Sequence, residues 1–165
     1  MRSLEQFLSD YGDSHQNPVN QWVHIVCVPA IFFSTLGLLW LVPVGQWLGL
    51  SGQLGSWVNG ATLLGVLSGL VYLKLSFKAF LLMVVWFALS VWGVLAIVAA
   101  GWSLLWISVA TFVAAWAVQV WGHKVEGKKP SFVDDLIFLL IGPIFVSIEL
   151  AAKLGLPTRH AQGQH

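Results

Sequence analysis

Charge is what this sequence lacks. Between Ile25 and Leu73, and again between Ala79 and Gly122, there is no Asp, Glu, Lys or Arg. Only 9% of the 165 residues are charged and 58% are hydrophobic, against a charged share of about 25% in soluble domains. Each charge-free run is long enough for two membrane crossings at about 20 residues per helix, so the composition predicts an integral membrane protein. Cysteine is the second scarcity: a lone Cys27 excludes an intrachain disulfide and any CxxC-type site, and leaves the redox compartment open. Net basicity is the third. A formal charge of +1 with no basic stripe speaks against nucleic acid as a partner. The residues before the first apolar run include Glu5, Asp10 and Asp13, unlike the basic start of a secretory signal peptide, so that run reads as a retained span.

The expected architecture is all-α: a polytopic membrane helical bundle forming a single domain over residues 1–165. Residues 1–16 form an interfacial N-terminal segment with Leu4, Phe7, Leu8 and Tyr11 at roughly helical spacing. Asn17-Pro18 is a helix start, because Asn caps orphan N–H groups and Pro fits the first turn. The first span then runs to about Val42, and Pro43, Gly45, Gly49, Ser51, Gly52 and Gly55 mark a loop. Further spans cover about Trp57–Leu73, Ala79–Ala100 and Trp102–Gly122, with a short turn from Lys74 to Lys78 and a tight reversal at Gly101. These four helices make up the core, residues 17–122. Within 123–156 the apolar run Leu136–Ile148 is only 13 residues long and broken by Gly142-Pro143, which reads as a short re-entrant or interfacial helix. Residues 157–165 read as a flexible tail.

Orientation follows from the cations, whose excess marks the cytoplasmic side. With four crossings, Arg2, Lys74, Lys78, Lys124, Lys128, Lys129, Lys153 and Arg159 all fall on one side. Both termini are therefore expected in the cytoplasm, in an inner membrane if the source is bacterial and the endoplasmic reticulum if eukaryotic. Trp22, Tyr72 and Trp121 near one surface and Trp47, Trp57 and Trp102 near the other fit interfacial aromatic belts. Membrane lipids are thus expected neighbours, and Lys124, Lys128 and Lys129 fit anionic headgroups.

This topology brings the start of the first span to the end of the fourth. His15, Asn20 and His24 then meet Gln119, His123 and Glu126, with Asn20 and His24, and Gln119 and His123, each one helical turn apart. Polar groups at this depth cost free energy unless they are paired or bind a metal, and imidazole suits iron, zinc, copper and nickel. The alternative is the ordinary structural one, in which such residues bond to headgroups or neighbouring carbonyls. Glu149 is a candidate ligand or base, or a solvated side chain. Asp134 and Asp135 suit the dipole of the last helix without any function, and His160 and His165 lie in the tail.

The spacing H-x4-N-x3-H-x4-P from His15 through Asn20 and His24 to Pro29 is followed by Gln119, Gly122-His123, Glu126 and Pro130. In this order the residues resemble the family of membrane-bound 2-hydroxy fatty acid dioxygenases of phytosphingosine breakdown. The family pattern has a glycine where Cys27 stands, and its acid follows the histidine by four residues rather than three. The resemblance implies Fe(II)-dependent α-oxidation, in which a 2-hydroxy fatty acid and O2 give a fatty acid one carbon shorter, CO2 and water. It also implies His15, His24 and His123 as iron ligands, and Asn20, Gln119 and Glu126 as further ligands or as partners that orient the imidazoles; these three and Glu149 are the candidate catalytic residues beside the histidines. No reducing cosubstrate is required for balance, and no glycine-rich nucleotide motif is present. The rival readings are another lipid-modifying metalloenzyme of the hydroxylase or desaturase kind, and a small transporter or haem-carrying subunit with His24 and His123 as axial ligands.

Overall fold

A computed structural model describes residues 4–13, 15–127 and 132–155. All regular structure among the described residues is helical: α1 (Leu4–Asp13), α2 (Pro18–Trp40), α3 (Val44–Trp47), α4 (Gly52–Trp57), α5 (Gly60–Leu75), α6 (Phe77–Ala99), α7 (Leu104–Glu126) and α8 (Phe132–Lys153). Three apolar stretches, Pro18–Trp47, Phe77–Ala99 and Leu104–Glu126, are long enough to cross a bilayer. Their outward faces are apolar too, as at Leu89, Trp92, Trp106 and Val113. Helices that expose such side chains need lipid rather than water around them, so this is a membrane protein. Where the second span is expected, α5 has 16 residues and is about 24 Å long at 1.5 Å per residue, short of a hydrocarbon core of about 30 Å. Its start at Gly60 is set by a capping box. Asn59 accepts from Ala61 N and Thr62 N while its own N–H donates to the Thr62 hydroxyl, which satisfies orphan donors reciprocally.

The chain divides into two compact units, Ala30–Trp116 and the combination of Met1–Pro29 with Ala117–His165. In the first, small residues set how closely helices approach. A Cβ on Gly65 of α5 would stand 2.7 Å from the Phe87 ring of α6, and one on Gly93 of α6 would stand 2.9 Å from Phe33 of α2. Glycine at such points permits backbone approach where hydrophobicity alone gives lipid-facing helices no reason to pair. The reversal between α6 and α7 uses Gly101 at φ +73°, as its position after the apolar run predicts. The loop expected from Pro43 contains α3 and α4, pinned by Gly45 N donating to Val58 O at 2.6 Å and Gly60 N to Val42 O at 3.1 Å. Neither short helix carries enough periodic apolar positions to announce itself.

In the second unit α1 packs on α8. Here the structure corrects the sequence reading: Gly142-Pro143 does not break the last helix, which continues for 22 residues. Proline removes one N–H and bends a helix, but here Pro143 is fully buried, and its chain neighbours Ile141, Ile144, Phe145 and Val146 are buried too. Arg2, Lys128, Lys129, Pro130 and the tail 157–165 lie outside the described residues, as do the side chains of Phe7, Tyr11, Asp134 and Asp135.

Candidate metal centre

Two helix ends, more than a hundred residues apart in sequence, supply the site. The first is the start of α2. Asn17 Oδ1 accepts from Val19 N at 2.9 Å and the Asn17 carbonyl accepts from Gln21 N at 3.0 Å, so the helix begins at Pro18 as the Asn-Pro pair predicts. His15 precedes this cap and its backbone is held at both ends. Its N–H donates to Gly12 O, and its carbonyl accepts from the Gln21 side chain, each at 3.0 Å. His24 lies one turn beyond Asn20, and its Nδ1 is 2.9 Å from the Asn20 carbonyl. A carbonyl only accepts, so Nδ1 carries the proton and Nε2 holds the lone pair, the arrangement a metal ligand needs.

The end of α7 supplies the third imidazole. Gly122 is the reason His123 comes so close to α2: a Cβ there would stand 2.6 Å from Asn20 Oδ1 and 2.9 Å from Val23 Cγ1. One turn earlier Gln119 is buried at 7% exposure.

His15, His24 and His123 are 3%, 1% and 5% exposed. Their ring centroids are 4.1 Å (His15–His24), 5.0 Å (His24–His123) and 5.5 Å (His15–His123) apart. One nitrogen from each ring lies within 4.8 Å of the other two. Nitrogens bound to one ion at about 2.1 Å stand roughly 3–4 Å from each other, so small ring rotations close the group. Both nitrogens of His123 and the Gln119 side-chain oxygen are buried without a hydrogen bond among the described residues. Buried polar atoms left this way cost free energy that a bound cation removes. Three imidazole donors fit iron, zinc, copper or nickel; the residues present suit a divalent transition metal.

The other expected site residues fall differently. Asn20 is fully buried between His24 and Glu126, donating from Nδ2 to Glu126 Oε2 at 3.1 Å. Glu126 accepts from Gln16 N at 2.9 Å and from Asn17 N at 2.9 and 3.2 Å, so its hydrogen bonds go to the start of α2. Glu149 is half-buried on α8, and neither acid joins the histidine group.

Residues the sequence did not single out also border the site. The Phe145 ring of α8 is 5.9 Å from that of His15. Lys153, at the end of α8, donates to Gln21 Oε1 at 3.1 Å and lies 5.3 Å above the Trp22 ring. Nothing in a one-dimensional pattern pairs positions so far apart. For Phe145, one apolar residue within an apolar run, there is no local signal at all.

With this geometry in hand, comparison with known proteins is specific. Residues 1–154 match the Mpo1-like family, described as 2-hydroxy-palmitic acid dioxygenase Mpo1-like. The chain belongs to the Mpo1-like family. A relative within reach is the 2-hydroxy-palmitic acid dioxygenase MPO1 of Saccharomyces cerevisiae, 29% identical over 159 residues that cover 94% of this chain and 84% of the yeast protein. No solved structure matches significantly. All three histidines fall inside the stretch that matches the Mpo1-like family, and the resemblance read from the sequence is a family membership.

Proposed function

We propose that this protein is a non-haem iron dioxygenase that shortens 2-hydroxy fatty acids by one carbon. The carrying observation is the buried His15–His24–His123 group, in which the His24 tautomer offers Nε2, within an Mpo1-like chain. The three histidines would hold Fe(II), and the chemistry a bound ferrous ion supplies is activation of O2 toward a closed-shell substrate. The reaction is R–CH(OH)–COOH + O2 → R–COOH + CO2 + H2O, balanced without a reductant.

The chain's own residues bind and orient. Gln119, one turn from His123 and buried, offers an amide to the carboxylate or 2-hydroxyl of the substrate head. Phe145 and its buried neighbours Ile141 and Ile144 on α8 keep water from the imidazoles, and the acyl chain gains about 0.8 kcal/mol per buried CH2. Asn20 holds the His24 ring through its carbonyl, as partners behind ligands do.

In this reading α2, α5, α6 and α7 cross the membrane as a single domain, and both termini and the histidines face the cytoplasm. The one-sided distribution of Lys and Arg supports it. Two features support α8 lying along that same surface: it begins six residues after the end of α7, and Lys153 at its far end reaches Gln21 near the start of α2.

The test is to incubate purified protein, Fe(II) and 2-hydroxypalmitic acid under air and analyse the fatty acids. The fifteen-carbon acid is expected; metal-loaded protein that leaves the substrate intact sinks the proposal. Two irons per chain would instead favour a hydroxylase-like enzyme. Haem is disfavoured by the third ring, since His15 lies 4.1 Å from His24 and 5.5 Å from His123, where a macrocycle would have to sit.

A further inference from the structure

We infer that Glu126 is a positioning residue that sets the geometry of all three histidines without binding the metal. This rests on the proposed metal site and assigns it a specific means of assembly. The carboxylate accepts hydrogen bonds from Gln16 N, Asn17 N and Asn20 Nδ2, and each contact leads to one part of the site. Gln16 directly follows His15, so fixing its N–H fixes where His15 leaves the turn after α1. Asn17 caps α2, so holding it sets the axis on which His24 stands. Asn20 is gripped at its side chain by Glu126 while its carbonyl accepts from His24 Nδ1. His123 needs no relay: it is three residues before Glu126 in α7. One acid thus clasps the start of α2 to the end of α7.

Its oxygens are engaged by these donors, and it stands outside the group of ligand atoms around the histidines. Charge-assisted hydrogen bonds from carboxylate to backbone N–H are short and about twice as strong as neutral ones, which suits a clasp. A neutral isostere keeps the shape but turns an NH2 toward backbone donors. Glu126→Gln is therefore the informative variant, and Glu126→Ala the complete removal.

The experiment has two arms on full-length protein in detergent. In metal-free protein, hydrogen exchange is followed in peptides covering residues 15–20. Exchange there is expected to be roughly tenfold faster in Glu126→Gln, from loss of charge-assisted bonds, with α5 and α6 unchanged as the check on folding. In the second arm Co(II) is titrated and its visible bands recorded. Affinity is expected to fall about 10- to 100-fold, the usual effect of partners behind ligands, with the saturated spectrum unchanged. A changed saturated spectrum in either variant would make Glu126 a ligand and overturn the inference. So would unchanged exchange over residues 15–20. Wild-type protein that binds no cobalt while the variant still exchanges faster overturns the metal reading and leaves the clasp standing.

Discussion

The two units of this chain bury polar side chains in opposite ways. In Ala30–Trp116 two buried hydroxyls serve their own helices: Ser34 donates to Ile31 O at 3.1 Å and Ser90 to Trp86 O at 2.9 Å. Such back-bonding satisfies a donor locally and asks nothing of another element. In the unit formed by the chain's two ends, the polar contacts run across the sequence, with Glu126 reaching residues 106 to 110 positions away. A polar contact that depends on a distant segment marks a place where the fold has been arranged for something other than burial.

Substitutions test this contrast most severely at the imidazoles. His24→Ala and His123→Ala should each lower turnover by more than the roughly 10- to 100-fold typical of residues behind the ligands, with metal binding lost in parallel. Iron retained in full by both variants would break the contrast at its root. Next in size is a pair of glycines. Gly122→Ala forces a methyl against Asn20 and Val23; such overpacking costs about 1–3 kcal/mol and should cut activity and metal affinity together. Gly65→Ala meets the Phe87 ring with similar crowding and should lower the thermal midpoint while metal affinity is unchanged. Equal loss of metal in both would erase the distinction between the units. Smallest is Ser90→Ala, which deletes a local hydrogen bond of about 0.5–1.5 kcal/mol and leaves turnover within twofold.

Much of the fold was legible because membrane insertion writes itself in one dimension. The charge-free runs, Asn17-Pro18 and Gly101 mark α2, α6 and α7 to within a few residues. The proximity of His123 to His15 and His24 was legible only through topology, since no local pattern links positions 24 and 123. Pro143 misled because a breaker signal ignores burial: α8 runs through Gly142-Pro143 where the side chains on both sides are buried. The same topology also predicts that Glu126 meets Asn20, and the two are hydrogen-bonded. Its bonds from the backbone of Gln16 and Asn17 were beyond reach, because they depend on where the start of α2 ends up in space.

The separation of 109 residues between Asn17 and Glu126 also has a meaning in time. At about 5–20 residues per second, on the order of 5–20 s pass between synthesis of the first half-site and arrival of the acid that clasps it. During that interval His15, Asn20 and His24 have left the ribosome without their α7 partners. The nascent chain must keep these groups hydrated or engaged with headgroups until α7 emerges, so the histidine site is among the last features of the protein to be completed.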